Sequence, residues 1–86
     1  MDKYRKKIDK IDEHLVELLD QRMGLAFELG KIKKEKGLPV NVPEREQEIF
    51  DKLKALPKET IRDDELEELF ERIIAIGRRH GKRATR

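Results

Sequence analysis

The fold is decided by residues 3–36, KYRKKIDKIDEHLVELLDQRMGLAFELGKIKKEK, which read as one long helix with a continuous heptad seam. Along the seam, side chains recur in alternating steps of four and three, the spacing that keeps one line of residues facing a partner helix. Arg22 is its one charged member, and a guanidinium among apolar side chains is costly unless an anion meets it. The seam consists of Tyr4, Ile8, Ile11, Leu15, Leu18, Arg22, Leu25, Leu29 and Ile32.

The length of this helix predicts a second chain. About 35 helical residues span about 52 Å, whereas a compact chain of 86 residues has a radius of gyration of about 12 Å. The remaining residues cannot cover such a seam and still form a sphere. We therefore expect the seam to pair with another copy of the chain, most economically in a two-fold homodimer.

The composition is typical of a helical domain. Charged residues make up 47% of the chain and hydrophobic residues 36%, yet the apolar residues are periodic, which argues against disorder. A net charge of +2 predicts no broad face for nucleic acid. Because the sequence has no cysteine, no apolar leader and no segment of membrane-spanning length, we expect a cytoplasmic protein that does not bind membranes.

Two shorter helices are predicted after the long one. Gly37 should end the first helix at Lys36, and the second and third helices are expected over residues 43–56 and 61–79. The fold class is therefore all-α, a three-helix protomer in an intertwined helical homodimer. The N-caps expected for the second and third helices are Asn41 and Thr60.

The basic end of the chain is predicted to lie outside the folded domain. Gly81 interrupts the apolar pattern of the third helix, and the residues beyond it are rich in Lys and Arg. We expect a helical domain over residues 1–81 and a disordered basic tail over residues 82–86.

Five charged residues lie on or beside the apolar faces. Each has an ordinary interpretation: Arg22 could set coiled-coil register, the other cations could be solvated with packed stems, and Glu46 could pair with Arg45 or Lys52. Together they carry four positive charges and one negative, a surplus of +3 that suits a small dianion in a cavity walled by Leu and Ile. These residues are Arg5, Arg22, Lys33, Arg45 and Glu46.

No nucleophile–base pair, metal cluster or phosphate loop is visible in the sequence. Cys and Ser are absent, and the two histidines, His14 and His80, are expected to be solvated. If the chain is an enzyme, we expect it to act by binding and electrostatics rather than by covalent catalysis.

The order and spacing of these residues resemble the all-helical (AroQ-class) chorismate mutases over nearly the whole chain. The pattern R-x-x-I-D-x-I-D-x-x-L-x-x-L-x-x-x-R covers residues 5–22, and A-x-x-x-G-K-x-K follows over residues 26–33. Residues 39–46 begin with Pro and end in Arg-Glu, and L-F-E-R-I-I over residues 69–74 looks like the third helix of the family.

The resemblance implies the Claisen rearrangement of chorismate to prephenate, which leads to phenylalanine and tyrosine and needs no cofactor or metal. It implies that Arg22 and Arg5, the latter from the partner subunit, clamp the substrate carboxylates. Lys33 would bind the ether oxygen and a carboxylate, and would gain most as the transition state forms. The other implied residues are Arg45 and Glu46 at the ring hydroxyl, Val42 beside them, and Gly77 near a carboxylate. Of all these residues, the resemblance implies that Lys33, Arg22 and Glu46 are catalytic.

Two positions depart from the pattern of the family. Many members have an acid where this chain has Val42, and many have Gln or Glu, donating to the ether oxygen, where this chain has Gly81. Losing one such donor costs about 10²–10³ in kcat. A subgroup of small intracellular mutases resembles the chain in both respects, and its members are activated in complex with DAHP synthase. Residues 78–86 are therefore expected to be either a docking segment for that partner or disordered.

Three other functions stay open at this point. Isochorismate–pyruvate lyase would use the same cationic pocket on the same scaffold. A non-catalytic dimerisation module would use Arg22 only to fix register. Nucleic-acid binding through the basic tail is disfavoured by the near-neutral charge and the lack of an aromatic platform.

Overall fold

The structure is a computed structural model that describes residues 1–84. It contains three helices, α1 (Asp2–Lys36), α2 (Pro43–Lys54) and α3 (Asp63–Arg83), and no strand in the described part of the chain. The predicted all-α fold class is confirmed. None of these helices is long and apolar enough to cross a membrane.

The end of α1 is fixed by the residue that the sequence singled out. Gly37 adopts a left-handed conformation with φ 68°. Its N–H donates to the carbonyl of Lys34 at 3.1 Å, and the N–H of Leu38 donates to the carbonyl of Lys33 at 2.8 Å. This pair of bonds is the Schellman motif, which satisfies the last carbonyls of a helix and turns the chain sharply. The predicted end of helix 1 at Lys36 is confirmed.

The predicted start of α2 at Pro43 is confirmed, but its N-cap differs by one residue from the prediction. The N-cap is Val42 rather than Asn41, and no side chain caps the helix. The physical reason is Pro43, which disfavours helical geometry in the residue before it; Val42 is accordingly extended, with φ −125°. The helix ends at Lys54, two residues before the predicted end.

The third helix begins later than predicted. Its N-cap is Arg62, not Thr60, and the backbone N–H of Arg62 donates to the Glu65 carboxylate at 3.0 Å. In the capping-box pattern, a glutamate three residues after the cap accepts a hydrogen bond from the backbone N–H of the cap residue, as Glu65 does here. Glu65 therefore decides where α3 starts.

The predicted end of the third helix at residue 79 is wrong, because α3 continues to Arg83. Gly81 does not break the helix but lies buried in it, where α3 crosses α1 at Gly30. A Cβ atom on Gly30 would come within 2.7 Å of the Gly81 Cα, so the two backbones touch. Glycine inside a helix costs about 0.5–1 kcal/mol, and the close packing of the two helices offsets that cost.

The extension of α3 also changes the description of the basic end. Lys82 and Arg83, which were predicted to be disordered, are helical. Thr85 and Arg86 of the predicted tail lie outside the described residues. The boundary between a domain over residues 1–81 and a tail over residues 82–86 stays a prediction.

One protomer leaves the apolar seam of α1 uncovered. The helices α1 and α3 pack along the C-terminal half of α1, and the molecule measures 51 × 24 × 16 Å, with a radius of gyration of 15.5 Å. In the described part of the chain Ile74 is the one buried hydrophobic residue, whereas Tyr4, Leu18 and Leu25 are each at least 60% exposed. A single chain thus has the extended shape that the length of the seam predicts.

Substitution of Gly30 should separate the helices. We expect Gly30→Ala to lower the free energy of unfolding by about 1–3 kcal/mol, since the added methyl group meets backbone atoms that cannot turn away. Gly24→Ala is the matched control in the same helix. A Cβ there meets nothing within 4 Å, so we expect a gain of about 0.5–1 kcal/mol from the better helix former. Urea denaturation of both variants at one protein concentration measures the difference, and equal stability would contradict the proposed role of the crossing.

Candidate active site

A cavity of about 290 Å³ lies between α1 and α3. Residues 38–42 and the first turns of α2 close one side of it, because the turn at Gly37 sends the chain back along α1. Its walls are apolar side chains from all three helices. The wall residues are Leu25, Leu29, Ile49 and Ile74, with Ala26, Gly30, Gly81 and Val40 beside them.

The cavity brings together six of the seven residues that the sequence proposed for a site. They come from α1, from the connection after it, and from α2 and α3, so the fold assembles residues that are up to 55 positions apart in the chain. The six residues are Arg22, Lys33, Val42, Arg45, Glu46 and Gly77.

Arg5 is the seventh residue, and it does not line this cavity. It is exposed near the N-terminus of α1, 17 positions before Arg22. That separation corresponds to about 25 Å along a helix, so the two guanidinium groups of one chain cannot reach the same small ligand.

Arg22 is a half-buried cation that has no hydrogen-bond or ion-pair partner among the described residues. Burial lowers the pKa of its guanidinium, and the positive charge of Arg45 lowers it further. Gly77 makes room for the group, since a Cβ atom there would lie 3.4 Å from Arg22 Nη1. An unpaired guanidinium held in this way is suited to bind an anion.

Lys33 is the second cation that α1 places in the cavity. Its Nζ donates a hydrogen bond to the backbone carbonyl of Val40 at 3.2 Å. An ammonium group has three donors, so two remain for a ligand while the bond to Val40 fixes the position of the charge.

Glu46 is held by a residue from α3. The Nη1 atom of Arg78 lies 2.8 and 2.9 Å from the two carboxylate oxygens of Glu46. Pairing of Glu46 with Arg45 or Lys52, which the sequence had left open, does not occur. Arg45 instead reaches Glu48, at 3.3 Å on the exposed side of α2.

Arg78 is the site residue that sequence reasoning missed. It was assigned to the basic end over residues 78–86, although the helix predicted over residues 61–79 already contained it. The signal that could have found it is spacing: Ile74, Gly77, Arg78 and Gly81 follow the steps of three and four that mark one face of a helix. All four line the cavity.

The charges define what the cavity can bind. Arg22, Lys33, Arg45 and Arg78 line it together with the single acid Glu46, so the lining side chains of one chain carry 4 − 1 = +3. The described residues contain no group of side chains arranged to hold a metal ion. The fold and the site together define a three-helix protein with a small cationic cavity whose walls are apolar. A cavity of this class is suited to hold a compact anion.

Comparison with known proteins agrees with this description. Residues 4–82 match the family model described as chorismate mutase type II. The chain therefore belongs to this family, and the resemblance seen in its sequence is confirmed. The fold agrees as well: the crystal structure of chorismate mutase from Helicobacter pylori in complex with prephenate superposes with a TM-score of 0.89 at 30% identity, over 96% of this chain and 90% of that one.

Two curated relatives match a segment of 55 residues, which is 64% of this chain. The bifunctional chorismate mutase/prephenate dehydratase of Aquifex aeolicus is 53% identical over that segment, and the chorismate mutase of Methanocaldococcus jannaschii is 46% identical. The match spans 15% of the first relative and 56% of the second.

The ligand-free protein should not need Arg22 for stability. A lowered pKa means that the folded state disfavours the protonated form, so the cost of this charge is present at every pH below the folded pKa and does not vary between about pH 5 and 9. We therefore expect Arg22→Met to be as stable as the wild type, or more stable, across that range in urea denaturation.

Arg79→Met is the matched control for the same change of charge on an exposed helical position, and little effect is expected. A loss of more than about 1 kcal/mol in Arg22→Met alone would show that the packed stem of Arg22 matters more than the cost of its charge.

Proposed function

We propose that this chain catalyses the Claisen rearrangement of chorismate to prephenate. The observation that carries the proposal is the convergence of Arg22, Lys33, Arg45 and Glu46 on one apolar-walled cavity, in a chain of the chorismate mutase type II family. The substrate is a small dianion with a ring hydroxyl, which matches the positive charge of the cavity and its single acid, Glu46.

Arg22 binds a substrate carboxylate. Its planar fork suits bidentate contact with a carboxylate, and Gly77 leaves the space in which that contact forms. Binding both ends of the substrate holds its flexible side arm over the ring in a reactive conformer. For a unimolecular rearrangement this loss of freedom is the entropic part of catalysis.

Lys33 supplies the electrostatic stabilisation that is stronger in the transition state than in the ground state. Negative charge develops on the ether oxygen as the C–O bond breaks, and a fixed ammonium group beside it is stabilising only to the extent that the charge has formed. The bond from Lys33 to Val40 positions the ammonium group before the substrate arrives. At the other end, Glu46 accepts a hydrogen bond from the ring hydroxyl, with Arg45 and Val42 beside it.

Gly81 limits the proposed catalyst. It lines the cavity where many related mutases have Gln or Glu, and a Cβ atom there would lie 3.0 Å from Val40 Cγ1. Of the two donors to the ether oxygen that the resemblance implies, Lys33 alone is present. We therefore propose a mutase whose kcat is low for its family.

We also propose a homodimer with shared sites. The exposed seam of α1 gives each chain an apolar surface to bury, and Arg5 of one chain would complete the cavity of the other. An activating complex with DAHP synthase, a cytoplasmic location and the absence of nucleic-acid binding stay predictions from the sequence.

The direct test is turnover of chorismate. We expect the purified protein to form prephenate, and we expect Arg22→Ala and Lys33→Ala each to lose at least about 10² in kcat/KM while folding is retained. Arg79→Ala is the control for loss of a positive charge outside the cavity. Release of pyruvate from isochorismate, without prephenate from chorismate, would favour the lyase instead. Turnover of neither would favour a dimerisation module.

Shared sites can be tested by mixing two inactive variants. If Arg5 acts across the dimer, a heterodimer of Arg5→Ala and Arg22→Ala contains one intact site and one doubly damaged site. Random exchange of subunits should then restore about a quarter of the wild-type activity, since about half of the dimers are mixed and each has one working site. Sedimentation equilibrium of each variant checks the dimer independently. Absence of recovery despite proven exchange would contradict the sharing, and a folded monomer at micromolar concentration would contradict the dimer.

A further inference from the structure

Among the described residues, Arg78 is the side chain of α3 that contacts Glu46, the acid of the cavity. Its Nη1 atom bridges both oxygens of Glu46, 32 positions earlier in the chain, and lies 3.5 Å from Oδ1 of Asn41. The side chains of Arg78 and Glu46 are 33% and 23% exposed. The pair is therefore partly withdrawn from water, at the edge of the cavity rather than on an open surface.

The surroundings of Glu46 explain why its direction needs to be fixed. Arg22 and Lys33 on α1 and Arg45 on α2 also line the cavity, and each could attract a carboxylate on a long, flexible side chain. A carboxylate that turned toward any of them would neutralise a cation of the cavity and withdraw the acceptor. Arg78 attracts Glu46 from the α3 side instead.

The contact with Arg78 leaves Glu46 able to accept more hydrogen bonds. An ionised carboxylate offers about four acceptor positions, and the two contacts to Nη1 use one position on each oxygen. The remaining positions can serve a hydroxyl group in the cavity.

We propose that Arg78 is a positioning residue that holds the Glu46 carboxylate in place to accept a hydrogen bond from the hydroxyl group of a cyclic dianionic substrate. This inference rests on the proposed function. It assigns to Arg78 an effect on turnover that is exerted through Glu46 rather than through contact with the substrate.

The chain offers a matched control for a purely structural role. Lys54 of α2 and Glu67 of α3 also form an ion pair at 2.8 Å, with side chains 34% and 41% exposed, and neither lines the cavity. The hydrogen bond to Glu67 raises the pKa of Lys54. Both pairs thus connect α2 to α3, but only the pair of Arg78 and Glu46 touches the site.

The first experiment compares kcat/KM of Arg78→Met and Lys54→Met with that of the wild type. We expect Arg78→Met to lose about 10- to 100-fold, since a displaced acceptor misaligns the substrate, and Lys54→Met to lose little. Urea denaturation should show similar stability for the two variants. Arg78→Lys should recover part of the activity, because an ammonium group can still contact one oxygen of Glu46. Equal losses of kcat/KM in Arg78→Met and Lys54→Met would overturn the inference, because they would mean that Arg78 only helps to hold α2 against α3.

The second experiment repeats the Arg78→Met change in a Glu46→Gln background. If Arg78 acts through Glu46, the double variant should be no slower than Glu46→Gln alone. A full additional loss would mean that Arg78 touches the substrate itself, which would overturn the positioning role. A wild type that does not convert chorismate would overturn the proposed function and this inference with it. An active wild type with an unimpaired Arg78→Met would overturn this inference alone.

Discussion

The contact between the backbones of α1 and α3 at Gly30 and Gly81 determines the geometry of the rest of the structure. Because a Cβ atom on Gly30 would come within 2.7 Å of the Gly81 Cα, the helices meet at a distance that requires glycine at position 30. One turn away, Ala26 and Gly77 continue the close packing, with 3.8 Å between the Ala26 Cβ and a Cβ built on Gly77. Arg22 lies just beyond them on α1 and is thereby brought against α3, where it pairs with no acid among residues 1–84.

The destabilising and the stabilising contributions to folding come from different parts of the molecule. The crossing of α1 and α3 creates a cationic cavity, and burial with like charge lowers the pKa of Arg22, so the site is expensive in the ligand-free protein. The apolar residues that could compensate lie mostly on the seam of α1, where one chain leaves them exposed. A single chain with one buried hydrophobic residue in its described part has little core of its own. The small core of a single chain therefore favours a dimer for the same reason as the length of α1 does: a second chain would bury the exposed seam.

The sequence predicted the features that depend on local chemistry or on long periodicity. The heptad seam and Gly37 gave α1 its correct bounds, and the misplaced charges on apolar faces identified residues that the fold does bring to one cavity. The errors concern residues whose role depends on what they face. The same glycine breaks a helix when it faces water and joins two helices when it faces another glycine, and nothing near Gly81 in the sequence reveals Gly30. Arg78 lay inside the helix predicted over residues 61–79 but was counted with the basic end, because nothing in the sequence shows that it faces Glu46.

Gly81 also lies beside the residue that fixes the position of Lys33. It leaves without a side chain the part of the cavity where the proposed second donor to the ether oxygen would lie. A Cβ atom at position 81 would lie 3.0 Å from Cγ1 of Val40, whose carbonyl accepts the hydrogen bond from Lys33. A longer side chain there has to be accommodated by a shift of the Val40 side chain. The residue that positions the first donor is therefore the one that has to give way to a second.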